Sequence, residues 1–153
     1  MILQEELKKK NILIDPVSCN RWKLIDELLD LAEKNKEIEP DIKKQARERL
    51  IEREKAASTG IGEDVAIPHC AMNEIKNTLV FVAISKKGIK FDSIDGLPAK
   101  IVVLLLVPAN NMSSHVKNLT GIAKTLKDPD FREQLIELKT ADAVLKAFKS
   151  YQM

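Results

Sequence analysis

Residues 101–108 read Ile-Val-Val-Leu-Leu-Leu-Val-Pro, so that seven consecutive apolar residues end at a proline. An apolar run of this length that starts with β-branched residues is typical of a strand that is buried on both faces. Proline closes such a strand because it lacks the N–H that the next hydrogen bond of the ladder needs. We therefore expect residues 101–107 to form the central strand of a sheet with helices on both sides.

Four shorter apolar segments flank this run and are bounded by turn residues. They predict strands over residues 12–14, 65–67, 79–84 and 89–91. Turns are predicted at Lys87-Gly88 and at Asp95-Gly96, because glycine adopts the backbone conformations that tight turns need. The later half of the sheet is therefore expected to consist of short strands joined by turns.

Five further segments place apolar residues at the spacing of an amphipathic helix. They predict helices over residues 21–34, from residue 40 to the glycines near residue 60, after a cap at residue 113 or 114, and in two short segments near the C-terminus. The residues that fit the N-cap or the first turn of these helices are Ser18, Pro40, Ser113 or Ser114, and Thr140. Helices that alternate with strands, without a repeat or a linker, predict one domain over residues 1–153, an α/β fold with a mixed sheet flanked by helices.

The composition excludes several classes of protein. The 25 basic and 23 acidic residues are interspersed, and one Trp and one Tyr offer few stacking platforms, so we expect no nucleic acid partner. No apolar run approaches the roughly 20 residues that span a bilayer, and the N-terminus does not read as a signal peptide. We therefore expect a cytoplasmic protein without direct membrane insertion. Cys19 and Cys70 form no C-x-x-C pair, so we expect neither a metal site nor a cofactor.

Residues 58–70 read Ser-Thr-Gly-Ile-Gly-Glu-Asp-Val-Ala-Ile-Pro-His-Cys and contain one of the two histidines of the chain. The glycines predict a loop, residues 65–67 a short strand, and Pro68 the end of that strand, so His69 is expected where the chain leaves the sheet. A neutral imidazole there is a nucleophile for a transferable group. The alternative is a histidine that only bonds a neighbouring carbonyl group.

Four other residues are candidates for binding an anion beside His69. His115 lies in the first turn of the predicted third helix, where the helix dipole attracts anions and disfavours a protonated ring. Arg53 lies one turn before the glycine loop, and either binds an anion or is a solvated surface charge. Ser58 and Thr59 either donate their hydroxyl protons to a bound phosphate or act as turn residues. That His69 and His115 come together in the fold is a hypothesis at this point.

Three carboxylates stand close to these candidates in the sequence. Glu54, Glu63 and Asp64 would repel an anion if they turned toward it. We therefore expect these side chains to face solvent or to pair with Lys55 and its neighbours.

The run from Glu54 through residues 58–62 to His69 resembles the active-site signature of the type-2 EIIA domains of the bacterial phosphoenolpyruvate-dependent phosphotransferase system. This family includes fructose, mannitol and nitrogen-regulatory proteins. Residues 91–98, the strand that ends at residue 108, and His115-Val116 resemble later segments of the family in the same order. Asp64 departs from the family pattern, since many members have glycine there, and Val116 stands where leucine is common.

The resemblance implies a phosphocarrier that uses no cofactor. His69 would accept a phosphoryl group on Nε2 from the phosphohistidine of HPr or of its nitrogen-branch counterpart. By position, Arg53 matches the arginine that stabilises the phosphate, and His115 matches a second histidine that orients it. Onward transfer would then reach an EIIB component for sugar uptake of the fructose or mannitol class.

Two alternatives to sugar uptake remain open. The first is a nitrogen-regulatory protein whose affinity for regulatory partners is switched by phosphorylation of His69. The second is a hydrolase with His69 as base, which the sequence disfavours because no positioned carboxylate orients that ring.

Overall fold

The computed structural model describes residues 2–151, and its centre is a mixed sheet of six strands. These are β1 (Ile12–Ile14), β2 (Gly60–Gly62), β3 (Val65–Ala66), β4 (His69–Met72), β5 (Leu79–Ile89) and β6 (Ala99–Pro108). The helices are α1 (Ile2–Glu5), α2 (Arg21–Lys34), α3 (Pro40–Ala56), α4 (Met112–Thr125), α5 (Pro129–Glu137) and α6 (Ala141–Ser150). A 3₁₀ turn, Lys9–Asn11, precedes β1.

The strand order is β1-β5-β6-β3-β2, and β4 also pairs with β6. β1 runs parallel to β5, while β5 runs antiparallel to β6. β3 and β4 both run parallel to β6, and β2 runs antiparallel to β3. The predicted mixed sheet flanked by helices is therefore confirmed, with the apolar run of residues 101–107 at its centre.

Side chains of β6 alternate between two apolar cores. Val102, Leu104 and Leu106 pack in the core under α2 and α3. Ile101, Val103 and Leu105 pack on the other face, against α1, α4, α5 and α6. Because both faces of the strand are covered, every position in this stretch has to be apolar, which is the pattern that the sequence displays.

β3 and β4 lie end to end along one side of β6. Val65 is opposite Ile101 and His69 is opposite Leu105. Between them Pro68 has no N–H to give, but its carbonyl oxygen accepts from the N–H of Leu105 at 3.0 Å. The chain therefore stays beside β6, and the prediction that His69 lies where the chain leaves the sheet is wrong, because His69 begins a strand.

The boundaries of α2 agree with the prediction, but its N-cap does not. Asn20 caps the helix, with its side-chain oxygen accepting from the N–H of Lys23 at 3.0 Å. The hydroxyl of Ser18 donates instead to the Glu27 carboxylate at 2.6 Å. Because Ser18 donates to a charged acceptor in the second turn of α2, it does not serve as the cap that the sequence predicts.

The N-caps of the later helices are partly as predicted. α4 begins at Met112 after Asn111, with no side-chain cap, so Ser113 and Ser114 lie inside the helix rather than at its cap. Thr140 caps α6 as predicted and accepts from the N–H of Ala143 at 3.1 Å. In α3 Pro40 occupies the first turn as predicted.

β5 continues through the segment that the sequence predicts as a turn. Gly88 has a φ of +91°, and its N–H donates to the hydroxyl of Ser85 at 3.1 Å. The register with β6 shifts between Ile84 and Ile89, so the extra residues form a bulge within one strand. The predicted turn at Asp95-Gly96 is confirmed, with Gly96 at a φ of +72°.

The two ends of the described chain lie together. The side-chain amide of Gln4 donates to the carbonyl oxygen of Tyr151 at 2.8 Å, and both α1 and α6 pack in the same core. Within residues 2–151, none of the helices has the length and apolar character needed to cross a membrane.

Candidate functional site

A pocket of about 460 Å³ lies where the end of α3, the start of β4 and the first turn of α4 meet. Each of these elements contributes one of the candidate residues. Arg53 comes from α3, His69 from β4 and His115 from α4. Three residues that are distant in the sequence therefore line one cavity.

The tautomer of His69 follows from its hydrogen bond. Nδ1 lies 2.8 Å from the carbonyl oxygen of Ile67, which has no proton to offer. Nδ1 must therefore carry the proton and donate it, which leaves the lone pair on Nε2. A free Nε2 on a neutral ring is the nucleophilic atom of this side chain.

Burial lowers the pKa of His69 below its ordinary value of 6.5. The hydrogen bond to Ile67 raises the pKa, the positive charge of Arg53 lowers it, and the negative charge of Glu54 raises it. Because burial is the largest of these effects, the ring is neutral at neutral pH, as nucleophilic attack requires.

His115 stands against His69, with ring centroids 5.2 Å apart and planes inclined by 56°. It is only 6% exposed, and within residues 2–151 its Nδ1 has no hydrogen-bond partner. Burial, followed by repulsion from His69, lowers the pKa of His115. Two adjacent neutral rings, one from β4 and one from α4, thus face a pocket at the positive end of the α4 dipole.

Of the two arginines that line the pocket, Arg53 makes fewer hydrogen bonds to the described residues. Its guanidinium donates to the carbonyl oxygen of Ala57 at 2.8 Å, and no carboxylate of the described chain pairs with it. Arg49 lines the same wall but donates twice to Glu74, at 3.1 and 3.4 Å. An anion in the pocket would therefore meet an unneutralised guanidinium at Arg53 and a neutralised one at Arg49.

Ser58 and Thr59 do not line this pocket. The hydroxyl of Ser58 donates to the carbonyl oxygen of Phe91, and the hydroxyl of Thr59 donates to the carboxylate of Glu54. Both hydroxyl protons are used within the protein, so this conformation corresponds to the structural alternative that the sequence leaves open.

The prediction that Glu54 faces solvent or pairs with Lys55 is wrong. Glu54 is 1% exposed, and its carboxylate accepts from the guanidinium of Arg21 at 2.9 Å. A sequence signal for this burial exists, because Glu54 follows Ala46 and Leu50 at four-residue spacing on the buried face of α3. The prediction fails because it considers the charge of Glu54 and not its position on the helix.

Glu63 and Asp64 form the turn between β2 and β3 and do not line the pocket. Both adopt left-handed backbone conformations, with φ of +54° and +71°. Glu63 is exposed as predicted, but its ion-pair partner is Arg132 at 3.7 Å rather than Lys55. The left-handed backbone at Asp64 is a conformation that glycine adopts without steric cost.

Comparison with protein families gives a match along almost the whole chain. The family described as "Phosphoenolpyruvate-dependent sugar phosphotransferase system, EIIA 2" matches residues 5–151. The fructose-specific EIIA component of Haloferax volcanii is 36% identical over 78% of this chain and 77% of its own length. The nitrogen regulatory protein of Bradyrhizobium diazoefficiens is 34% identical over 76% of each chain.

One relative is a much longer protein. The fructose-specific EIIABC component of Bacillus subtilis is 29% identical over 95% of this chain, which spans 22% of the length of that relative. The match therefore concerns one part of that protein.

Solved structures share the fold described above. The crystal structure of nitrogen regulatory protein IIA-Ntr from Neisseria meningitidis superposes with a TM-score of 0.87 at 28% identity, over 97% of this chain and 99% of that one. The crystal structure of IIA mannitol from Escherichia coli has a TM-score of 0.78 at 22% identity, over 94% and 99% of the two chains. At that lower identity the likeness concerns the fold alone.

Proposed function

The chain belongs to the EIIA type 2 family of the phosphoenolpyruvate-dependent sugar phosphotransferase system, and from this premise we propose that it carries a phosphoryl group on Nε2 of His69. The donor is the phosphohistidine of HPr or of its nitrogen-branch counterpart, in the cytoplasm. The acceptor is an EIIB component that serves sugar uptake of the fructose or mannitol class. The observation that carries the proposal is the Ile67 hydrogen bond, which leaves Nε2 as the free nitrogen of a neutral ring.

The transfer needs little acid–base chemistry. Nε2 of His69 attacks phosphorus in line with the nitrogen of the donor ring. The bond from phosphorus to Nε2 forms while the bond to the donor nitrogen breaks, and the donor ring keeps the electron pair. Nδ1 retains its proton and its bond to Ile67 throughout, so the ring keeps one orientation before and after transfer.

The neighbours of His69 match the charge that arrives. A phosphoryl group carries about −1.5 to −2 charges near neutral pH. Arg53 supplies a guanidinium, and the first turn of α4 supplies backbone N–H groups and the positive end of its dipole. His115 is neutral and adjacent, so it donates a hydrogen bond to a phosphoryl oxygen without a change in its charge.

The rim of the pocket is suited to another protein. Met112 and Val116, one turn apart on α4, are 52% and 59% exposed. Exposed apolar side chains next to charged ones are typical of a docking surface. We therefore assign the contact with the phosphoryl donor to this part of α4.

The test is phosphorylation of the pure protein with phosphoenolpyruvate, enzyme I and either HPr, followed by measurement of intact mass. The wild type is expected to gain one acid-labile phosphoryl group. His69→Ala is expected to gain none, and His115→Ala to gain it slowly or to lose it quickly. Labelling that survives in a folded His69→Ala variant would contradict the assignment.

A nitrogen-regulatory role is the second candidate, because regulatory relatives match as broadly as the sugar-specific ones. The two roles separate after phosphorylation. A transport component loses its phosphoryl group to added EIIB proteins of the fructose or mannitol class. A regulatory protein keeps it, and its affinity for a regulatory partner differs between the unphosphorylated and the phosphorylated forms.

A further inference from the structure

A line of hydrogen bonds joins the buried carboxylate of Glu54 to the ring of His69. The backbone N–H and the hydroxyl of Thr59 both donate to that carboxylate. The carbonyl oxygen of Thr59 accepts from the N–H of Ile67 at 3.0 Å. The carbonyl oxygen of Ile67 in turn accepts from Nδ1 of His69 at 2.8 Å. Ile67, whose carbonyl group fixes the tautomer of His69, is thus also held through its own N–H.

The Glu54 end of this line is anchored by a second element. Arg21, at the start of α2, donates from one guanidinium nitrogen to Glu54 at 2.9 Å and to the carbonyl oxygen of Phe91 at 3.3 Å. The Glu54 side chain is 0% exposed and that of Arg21 is 17% exposed. Charged hydrogen bonds in such surroundings are strong, and loss of either partner leaves a buried charge unmatched.

Glu54 also belongs to the last turn of α3, next to Arg53. The same carboxylate therefore ties the end of α3, through Thr59, to Ile67, which precedes His69 by two residues. This arrangement fixes both the cation of the pocket and the backbone acceptor of the nucleophile, although Glu54 itself does not line the pocket.

We propose that Glu54, held by Arg21 and acting through Thr59 and Ile67, is a positioning residue that keeps the proton of His69 on Nδ1 and the lone pair on Nε2. A neutral imidazole without a fixed partner populates both tautomers, and only one of them presents Nε2 as a nucleophile. The effect on phosphoryl transfer rests on the proposed function, whereas the effect on the tautomer does not.

The test measures the two ring nitrogens of His69 by ¹⁵N NMR in the whole protein at neutral pH. Glu54→Gln removes the charge but keeps a side chain of the same size. It is expected to move His69 toward the Nε2–H tautomer and to slow its phosphorylation on the order of 10-fold. Glu48→Gln is the matched control, because it removes an exposed carboxylate from the same helix and is expected to change neither.

Thr59→Val keeps the question answerable if Glu54→Gln fails to fold. It removes the hydroxyl donor while it preserves the backbone N–H, so a smaller shift in the same direction is expected. A His69 ring that keeps its wild-type nitrogen signals in folded Glu54→Gln, or in folded Thr59→Val when the first does not fold, would overturn the proposal. If the wild type is never phosphorylated, the proposed function fails, while the tautomer measurement still decides this inference.

Discussion

At the scale of single residues, the chemistry of the pocket follows from what each side chain is free to do. His69 has one nitrogen committed to a backbone oxygen and one nitrogen free. Arg53 has no carboxylate partner in the described chain, whereas Arg49 has Glu74. The hydrogen bonds that a side chain already makes, more than its distance from the pocket, therefore distinguish the reactive groups from the structural ones.

Replacement of Arg53 should weaken retention of the phosphoryl group. A hydrogen bond to a charged group contributes about 1.5–3 kcal/mol, so Arg53→Gln is expected to lower the affinity for the phosphoryl group by about 10- to 100-fold. The measurement is the equilibrium between phosphorylated protein and phosphorylated HPr. Arg47→Gln is the control on the same helix, because Arg47 pairs with Asp26 outside the pocket. Equal losses in the two variants would contradict this role of Arg53.

The two histidines should make the stability sensitive to mild acid. Burial lowers the pKa of both rings in the folded protein, so the unfolded chain takes up protons first as the pH falls. Their contribution is complete above about pH 6.5 and is lost below it, with a slope of at most about 1.4 kcal/mol per pH unit for each ring. Urea unfolding at several pH values between about 5.5 and 7.5 measures the slope. The double variant His69→Gln/His115→Gln should flatten it, and an unchanged slope would refute this origin.

The sequence identifies candidate pocket residues only where their chemistry is visible in the chain order. His69, His115 and Arg53 stand at element ends, so their types and positions could be interpreted together. The burial of Glu54 can be inferred from its four-residue spacing from Ala46 and Leu50, but its pairing cannot, because Arg21 is distant in sequence and reaches it only after α2 packs on α3. An ion-pair partner that is distant in sequence produces no pattern among the neighbouring residues from which it could be predicted.

At the scale of elements, strands in the interior were predictable and irregular strands were not. The run of residues 101–107 predicts its own secondary structure, since seven consecutive apolar residues that start with β-branched ones are typical of a strand covered on both faces. The predicted turn at Gly88 is wrong, because glycine is equally compatible with a turn and with a bulge. The pairing with β6 decides between them, and that pairing is not local.

The bulge of β5 should tolerate no side chain at Gly88. Gly88→Ala would place a Cβ 2.6 Å from the Cβ of Pro98 at a φ of +91°. Gly96→Ala meets a similar φ of +72° but has no atom within 4 Å, so it isolates the backbone cost. We expect Gly96→Ala to lower the free energy of unfolding by about 1 kcal/mol and Gly88→Ala by about 2–4 kcal/mol. Equal effects in urea unfolding would show that the contact with Pro98 relaxes freely.

At the scale of the whole molecule, one sheet separates two apolar cores. Leu28 of α2 is buried on one face, and Leu135 of α5 is buried on the other, both with 0% exposure. β6 contributes alternate side chains to both cores, so neither can loosen without disturbing the strand that the other needs. The strand that the sequence predicts to be buried on both faces thus couples two layers into one cooperative unit.

Substitutions in the two cores should therefore add while unfolding stays a single transition. Leu28→Ala and Leu135→Ala are each expected to lower the free energy of unfolding by about 2–5 kcal/mol. Their sum should match the double variant within about 0.5 kcal/mol, because the sites lie on opposite faces of the sheet. Unfolding in urea, followed by circular dichroism and by Trp22 fluorescence, provides the measurement. Two separate transitions would show that the cores unfold independently.

The hydrogen bond from Gln4 to Tyr151 has a consequence for how the polypeptide can be rewired. Since residues 4 and 151 lie side by side, a short linker can close the backbone into a ring, and an exposed loop elsewhere can be cut to create new ends. For the same reason this domain can be inserted into a loop of a host protein, because the two connections to the host chain would lie side by side.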